Sequence, residues 1–256
     1  MKPSAVLAAF AGISMLQLLL IAAMGVFTSL IGGVAGYGTG ALMPLVLVPI
    51  VGAAPIVPIT TISALMTNAS RATAFRQGID WRRVVIVLVA ALPTCMLGAW
   101  GYTRLTSAGV LILIGSMLML SVPLRRFLRA RGFRLDDKRL AGASIVWGLV
   151  MGGTSGAGVI LLAMLMAAGL DATAVIATDA VISVMLGFIK FAVFGFAGVI
   201  TAQVVAVALL IGFVALPGAF LARALVKRLP IHIHAAMLDA VVILGGAVMI
   251  VDALKR

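Results

Sequence analysis

One arginine and two threonines share one side of a very apolar stretch of the chain, residues 55–77. Thr67 and Arg71 lie seven and eleven positions after Thr60, which aligns all three on one face of an α-helix. Hydroxyl and guanidinium groups both donate hydrogen bonds. This face therefore suits the binding of an anion.

A second apolar stretch carries a similar polar face. Ser183 and Lys190 lie four and eleven positions after Asp179, so all three are again on one side of a helix. At an offset of 119 residues, Asp179 matches Thr60 and Lys190 matches Arg71. Ionisable groups inside apolar segments are costly and usually functional, so the two faces together predict a binding site.

Each ionisable residue also has a structural interpretation. Lys190 lies about six residues before its segment ends, so its long side chain could reach the membrane interface. Arg71 is nearer its segment end and could act as an anchor there. Asp179 is an acidic residue well inside an apolar segment. It could carry a proton, or it could pair with a hydroxyl group or a cation.

Two glycine-rich breaks interrupt the apolar runs. The first tip, residues 32–40, reads GGVAGYGTG, and the second tip, residues 152–158, reads GGTSGAG. Each Gly inside a helix costs about 1 kcal/mol relative to Ala, so both breaks predict a turn of the chain. A helix that begins after such a turn presents free N–H groups that favour an anion. Close packing of membrane helices is the alternative use of these glycines.

The candidate binding site combines both tips with the two polar faces, and Asp179 is the candidate for proton coupling. The candidate substrate-binding residues are Gly36, Tyr37, Gly38, Thr39, Gly40, Thr60, Asn68, Arg71, Thr154, Ser155, Gly156, Gly158, Thr178 and Lys190.

The composition indicates a helical membrane protein. Hydrophobic residues make up 64% of the chain and charged residues 10%, against about 45–50% and about 25% in soluble domains. The alternating pattern of a membrane β-barrel is missing from the sequence, so helices must satisfy the backbone. The net charge of +12 sits in short breaks between apolar runs, as the positive-inside rule expects, and does not indicate nucleic-acid binding. With one cysteine, Cys95, we expect no disulfide framework, metal site or cofactor.

The apolar segments fall into two groups of five. The polar stretch 125–139 divides the chain into a first membrane repeat (1–124), a basic cytoplasmic linker and a second membrane repeat (140–256). The segments lie at roughly 4–33, 40–53, 55–77, 83–103, 107–123, 140–153, 157–170, 173–196, 200–226 and 232–253.

The two halves resemble each other in sequence. Besides the tips, PITTISALMTNASR resembles IATDAVISVMLGFIK, and LGAWGYTRL resembles PGAFLARAL, all at an offset near 119. Three shared motifs in one order indicate an internal duplication. An odd number of segments per half inverts one half relative to the other, as in many secondary transporters. The predicted fold class is an all-α polytopic membrane protein built as an inverted repeat.

Charge predicts the orientation of the chain. Breaks rich in Lys and Arg, at 71–83, 125–139 and 223–228, follow odd-numbered segments and lie on one side, which we assign to the cytoplasm. The linker would then contact anionic lipids or bind a regulator.

The second and seventh segments are short. With 13 or 14 residues they reach about 20 Å, less than the roughly 30 Å of a bilayer core. They are expected to be half-helices or re-entrant hairpins at the glycine-rich breaks. The first apolar run exceeds the roughly 7–15 residues of a signal peptide, and we interpret it as a retained membrane segment.

These motifs resemble the sulfite exporter TauE/SafE family of bacterial membrane permeases. The similarity spans nearly the whole chain and rests on the duplicated glycine-rich motif, the stretch Val175–Asp179, the basic linker and the size. It implies a carrier of sulfite, sulfonates or related organosulfur anions, coupled to protons, in the bacterial inner membrane. The tips depart from the family pattern of three consecutive glycines, and Val159 stands where a glycine is expected.

We therefore predict a secondary transporter that moves a small oxyanion by alternating access around a midplane site. An anion channel is the first alternative. A lipid-pyrophosphate phosphatase, suggested by GGTSGAG, is the second, although neither tip carries the charged groups such chemistry needs. The expected partners are the anionic substrate and membrane lipids, and a homo-oligomer remains an option.

Overall fold

The structure is a computed structural model that describes residues 10, 12–35, 39–130, 134–225 and 231–255. Side chains are described for these residues except 32–35, 125–130, 219–220, 222–225 and 231–241. Within the described ranges the chain forms ten α-helices and no strand, which confirms the all-α prediction. The helices are α1 (Met15–Ala35), α2 (Thr39–Val51), α3 (Ile56–Ala74), α4 (Trp81–Tyr102), α5 (Ser107–Ala130), α6 (Asp137–Gly153), α7 (Gly158–Ala167), α8 (Ala172–Phe196), α9 (Ala202–Leu225) and α10 (Ile231–Leu254).

Aspartates begin three of these helices. The side chain of Asp80 accepts from the backbone N–H of Arg83 at the start of α4. The side chain of Asp136 accepts from the backbone N–H of Arg139 at the start of α6. Asp171 accepts from two backbone N–H groups at the start of α8. Such caps satisfy donors that have no partner inside the helix.

The outer face of α4 is an apolar stripe suited to lipid. Its exposed large side chains recur every three or four residues, so they lie along one side of the helix. A continuous exposed apolar face of this kind marks contact with lipid or protein. The stripe consists of Trp81, Val85, Val89, Leu92, Met96 and Trp100.

Three described helices are long and apolar enough to cross a membrane. They are α4, the first 18 residues of α5, and α8. The short α2 and α7 hold 13 and 10 residues, which correspond to about 20 and 15 Å. The predicted short segments therefore form separate short helices.

Glycines allow α4 and α6 to approach closely. A side chain on Gly152 would collide with the backbone of Cys95 and Ala99, and one on Gly98 would collide with the backbone of Leu149. Small residues at a helix contact let two backbones pack against each other in lipid. The α4–α6 pair has the largest contact among the described helices.

Both ends of α4 also hold turns of the chain. Near its start, Arg83 Nη2 donates to the carbonyl oxygen of Ala168 at 3.2 Å, in the turn between α7 and α8. At its end, the Tyr102 hydroxyl donates to the carbonyl oxygen of Ala54 at 2.8 Å, in the turn between α2 and α3. A single helix thus touches the turn that follows each short helix.

The helix contacts fall into matched pairs. The helix α4 packs on α6 and α8, while α9 packs on α1 and α3. The helix α7 contacts α5, α6 and α8, while α2 contacts α10, α1 and α3. In addition, α3 packs on α8, and α5 packs on α10. Adding five to, or subtracting five from, both helix numbers converts each of these contacts into another one of the set. The contacts α3–α8 and α5–α10 convert into themselves.

Helix α5 extends further than the apolar pattern predicts. The apolar segment ends near residue 123, but the helix continues to Ala130. Leu and Arg are good helix formers, so the arrival of charge ends the apolar span without ending the helix. Part of the predicted linker 125–139 is therefore helical.

Candidate functional site

A cavity of about 100 Å³ with charged and hydroxyl-bearing residues in its wall lies where α3 and α8 pack together, beside the start of α2 and the second tip. The two helices come close at Gly187, where a side chain would meet that of Leu65. A cavity of this size holds several water molecules or one small solute. Its walls are Ser29, Thr39, Gly40, Ala41, Thr60, Thr61, Ala64, Thr67, Asn68, Arg71, Met151, Thr154, Ser155, Gly156, Gly158, Asp179, Ser183, Gly187 and Lys190.

Arg71 of α3 and Asp179 of α8 form an ion pair in this wall. Arg71 Nη2 lies 3.0 Å from Asp179 Oδ2 and also donates to Asn68 Oδ1. Both charged side chains are buried, with Asp179 only 1% exposed. An ion pair with a further hydrogen-bond partner is the arrangement in which buried charges are tolerated.

Two buried polar atoms of the cavity wall lack a hydrogen-bond partner among the described residues. These atoms are Asp179 Oδ1 and Thr61 Oγ1. Buried polar groups are nearly always paired, and an exception calls for an explanation such as a missing ligand or water. Both residues line the cavity. The Thr61 hydroxyl can donate to a bound anion, whereas ionised Asp179 accepts hydrogen bonds only, so its partner must be a donor such as water.

Lys190 is held by the end of α6. Its Nζ donates to the carbonyl oxygen of Met151 at 2.9 Å and to that of Thr154 at 3.1 Å. These carbonyl groups belong to the helix C-terminus, where the backbone dipole favours a cation. Lys190 is 3% exposed, so its ammonium group is buried in the cavity wall and does not extend to the interface.

The second tip contacts the beginning of α2. Ser155 Oγ donates to the carbonyl oxygen of Gly40 at 2.5 Å. A side chain on Gly40 would lie 3.1 Å from the backbone nitrogen of Gly156, which has a φ of +91°. Trp147 Nε1 donates to the carbonyl oxygen of Ala157 at 2.9 Å and fixes the other side of the turn.

The start of α7 opens towards Asp179. The helix begins at Gly158, and a side chain there would place its first carbon 3.9 Å from Asp179 Oδ1. The N–H groups of Val159 and Ile160 donate to the carbonyl oxygens of Gly156 and Ala157 at 3.3 and 3.1 Å, and the positive end of the helix dipole still favours negative charge here. Glycine keeps the space between this helix start and the cavity unfilled.

The structure brings most of the predicted residues together. Those that line the cavity are Thr39, Gly40, Thr60, Asn68, Arg71, Thr154, Ser155, Gly156, Gly158, Asp179 and Lys190.

The other four predicted residues stand apart from this group. Gly36, Tyr37 and Gly38 lie outside the described residues. Thr178 is not in the cavity wall, and its Oγ1 accepts instead from the backbone N–H of Asp80 at 3.0 Å.

Several wall residues escaped the candidate set. Thr61 lies beside the predicted Thr60, and Gly187 and Ala64 have no polar side chain to mark them. Ser29 comes from α1, where its Oγ donates to the carbonyl oxygen of Ala215 in α9. The spacing of Thr67 and Ser183 on the two polar faces could have added both residues to the candidate set.

These features define a helical membrane protein with a small, charged cavity between packed helices. The chain matches the family described as "Sulfite exporter TauE/SafE" over residues 21–249, and it belongs to that family. The family consists of membrane transporters for sulfite and organosulfur compounds, which confirms the expected family and a transporter rather than an enzyme. Searches among curated proteins and among solved structures found no match.

Proposed function

We propose that this chain is a secondary transporter of a small oxyanion, such as sulfite, a sulfonate or a related organosulfur anion. The observation that carries this is the pair of buried cations, Arg71 and Lys190, in one small polar cavity. Thr61, whose hydroxyl has no partner among the described residues, adds a neutral donor, which suits an oxyanion because its oxygen atoms accept several hydrogen bonds.

Alternating access around this cavity is supported by the matched helix contacts. The exchange of α4–α6 for α9–α1, and of α4–α8 for α9–α3, is what an inverted pair of five-helix repeats would produce. In this scheme 1–124 and 140–256 are the repeats, joined by the linker 125–139. The cavity lies between α3 and α8, the third helix of each repeat.

Proton coupling is assigned to Asp179. Its carboxylate is buried, pairs with Arg71 through one oxygen and leaves the other without a partner among the described residues. Protonation of Asp179 would release Arg71 from this pair and change the charge of the cavity. The protonation of Asp179 would thus be linked to the binding of an anion in the same cavity.

The proposed location is the bacterial inner membrane, which the chain crosses several times. The basic linker faces the cytoplasm and anionic lipid headgroups. The exposed apolar stripe of α4 supports direct contact with acyl chains.

Binding and flux measurements on purified protein test this function. Sulfite, sulfoacetate, taurine, isethionate, thiosulfate and sulfate are screened for an increase in melting temperature, because a ligand of the folded state stabilises it. Bound anions are then followed into liposomes with and without a proton gradient. Saturable flux that responds to the gradient is expected. Flux that neither saturates nor responds would indicate a channel, and the absence of binding and flux for every anion would contradict the function.

A further inference from the structure

The charged groups in the cavity wall do not balance. Among the described wall residues, Arg71 and Lys190 are cations and Asp179 is the single anion, while the others are uncharged. With all three ionised, the wall carries a net charge of +1 (two positive charges and one negative). A buried charge is screened far less than one in water, so this balance acts strongly on a ligand.

The two cations have different partners. Arg71 faces the Asp179 carboxylate at 3.0 Å, and the two charges compensate each other. Lys190 donates to two backbone carbonyl oxygens and forms no ion pair with a described carboxylate. A ligand with one negative charge would neutralise the wall. A ligand with two would leave the buried site with a net charge of −1 and would also cost more to remove from water, because the desolvation penalty rises steeply with charge.

We infer that Asp179, with its carboxylate ionised, selects singly charged oxyanions over doubly charged ones at this site. The inference rests on the proposed function, because it requires an anion in the cavity. Asp179 then acts as a specificity-determining residue because it neutralises the positive charge of Arg71. The favoured ligand class is an oxyanion headgroup of charge −1, such as a sulfonate.

Methanesulfonate and sulfate are suitable probes because both are tetrahedral and differ by one charge. Affinities are measured by calorimetry on purified protein at neutral pH, for wild type and Asp179→Asn. Wild type should bind methanesulfonate more tightly than sulfate. The variant should shift the affinity ratio towards sulfate by about 10-fold or more, because it removes one negative charge from the cavity wall.

Asp171→Asn is the matched control. It makes the same change on the same helix, but Asp171 caps the start of α8 outside the cavity wall. Asparagine caps helices about as well as aspartate, so the folded structure and the wild-type affinity ratio should be retained.

A double variant separates charge from damage to the fold. Arg71→Gln with Asp179→Asn removes both partners, which buried pairs tolerate better than the loss of one, and keeps the net charge at +1. Its affinity ratio should return towards that of wild type, even if both affinities fall.

The outcomes distinguish the two levels of inference. Binding of both probes with the same ratio in wild type and Asp179→Asn would overturn charge selection and leave anion transport standing. If Asp179→Asn does not fold, sulfate preference in wild type or in the double variant would overturn charge selection. Binding of neither probe, nor of any anion in the transport screen, would overturn both.

Discussion

Lys190 and Arg71 occupy matching sequence positions but are stabilised in different ways. Lys190 is held by carbonyl oxygens at the end of α6, and Arg71 by Asp179 and Asn68. Loss of Lys190 leaves only backbone carbonyl groups, which water can satisfy. Loss of Arg71 leaves a buried carboxylate without its cation.

We expect Lys190→Ala to lower anion affinity by about 10-fold or more, since hydrogen bonds to charged groups contribute about 1.5–3 kcal/mol. Arg71→Ala should lower affinity and also destabilise the fold by about 3–5 kcal/mol, because it breaks a buried pair from one side. Flux assays and thermal unfolding measure the two effects. Lys138→Ala, at an exposed position outside the cavity, is the control. Normal flux in both Lys190→Ala and Arg71→Ala would contradict a role for these cations in anion binding.

Gly156 can be tested for its part in shaping the cavity. Gly156→Val should abolish flux, because the new side chain would meet Leu118 and the start of α2. Its φ of +91° also makes any side chain strained there. Gly169 has a φ of +90° with open space around it, so Gly169→Val reproduces the strain alone and should retain flux. Equal flux in the two variants, measured in liposomes, would contradict a role in the cavity.

Side-chain chemistry and spacing predicted much of the cavity, but not its backbone partners. Arg71, Asp179 and Lys190 stood out as ionisable groups in apolar segments. Thr178 does not line the cavity although it is next to Asp179 in sequence, because neighbours on a helix point about 100° apart. The carbonyl oxygens that hold Lys190 have no signature in the sequence.

At the scale of helices, the close contact of α4 with α6 depends on glycine. The backbone of α4 occupies the space that a side chain at Gly152 would need. The helix α6 ends in the second tip, so its position against α4 also positions the carbonyl groups that bind Lys190.

Gly152→Ala should therefore separate the two helices and destabilise the protein by about 1–3 kcal/mol, the usual cost of overpacking. Gly142→Ala is the matched control on the same helix, because nothing lies within 4 Å of the added carbon. It should be neutral or stabilising by up to about 1 kcal/mol. Thermal unfolding in detergent compares them, and equal melting temperatures would contradict a packing role for Gly152.

For the whole molecule, the helix count and the short α2 and α7 followed from hydropathy and glycine placement. The extension of α5 to Ala130 did not, because hydropathy reports the lipid span and not the helix. Which helices contact each other was also hidden, since the sequence does not state which faces meet.

Orientation can be tested with single cysteines at the two ends of the region that α5 connects. In a Cys95→Ala background, Ser107→Cys and Lys138→Cys are exposed positions. In intact cells a membrane-impermeant maleimide should label residue 107 and leave residue 138 unlabelled until the cells are opened, because basic segments remain in the cytoplasm. Labelling of both residues in intact cells would contradict this topology.

The two contacts at the ends of α4 connect two distant turns of the chain through one helix. A helix of 22 residues is a stiff rod about 33 Å long, and its ends hold the turns at Ala54 and Ala168. If α4 tilts as a rigid body, its two ends move in opposite directions and displace the two turns in opposite directions. In the proposed alternating-access scheme, this connection would prevent both entrances from opening at once.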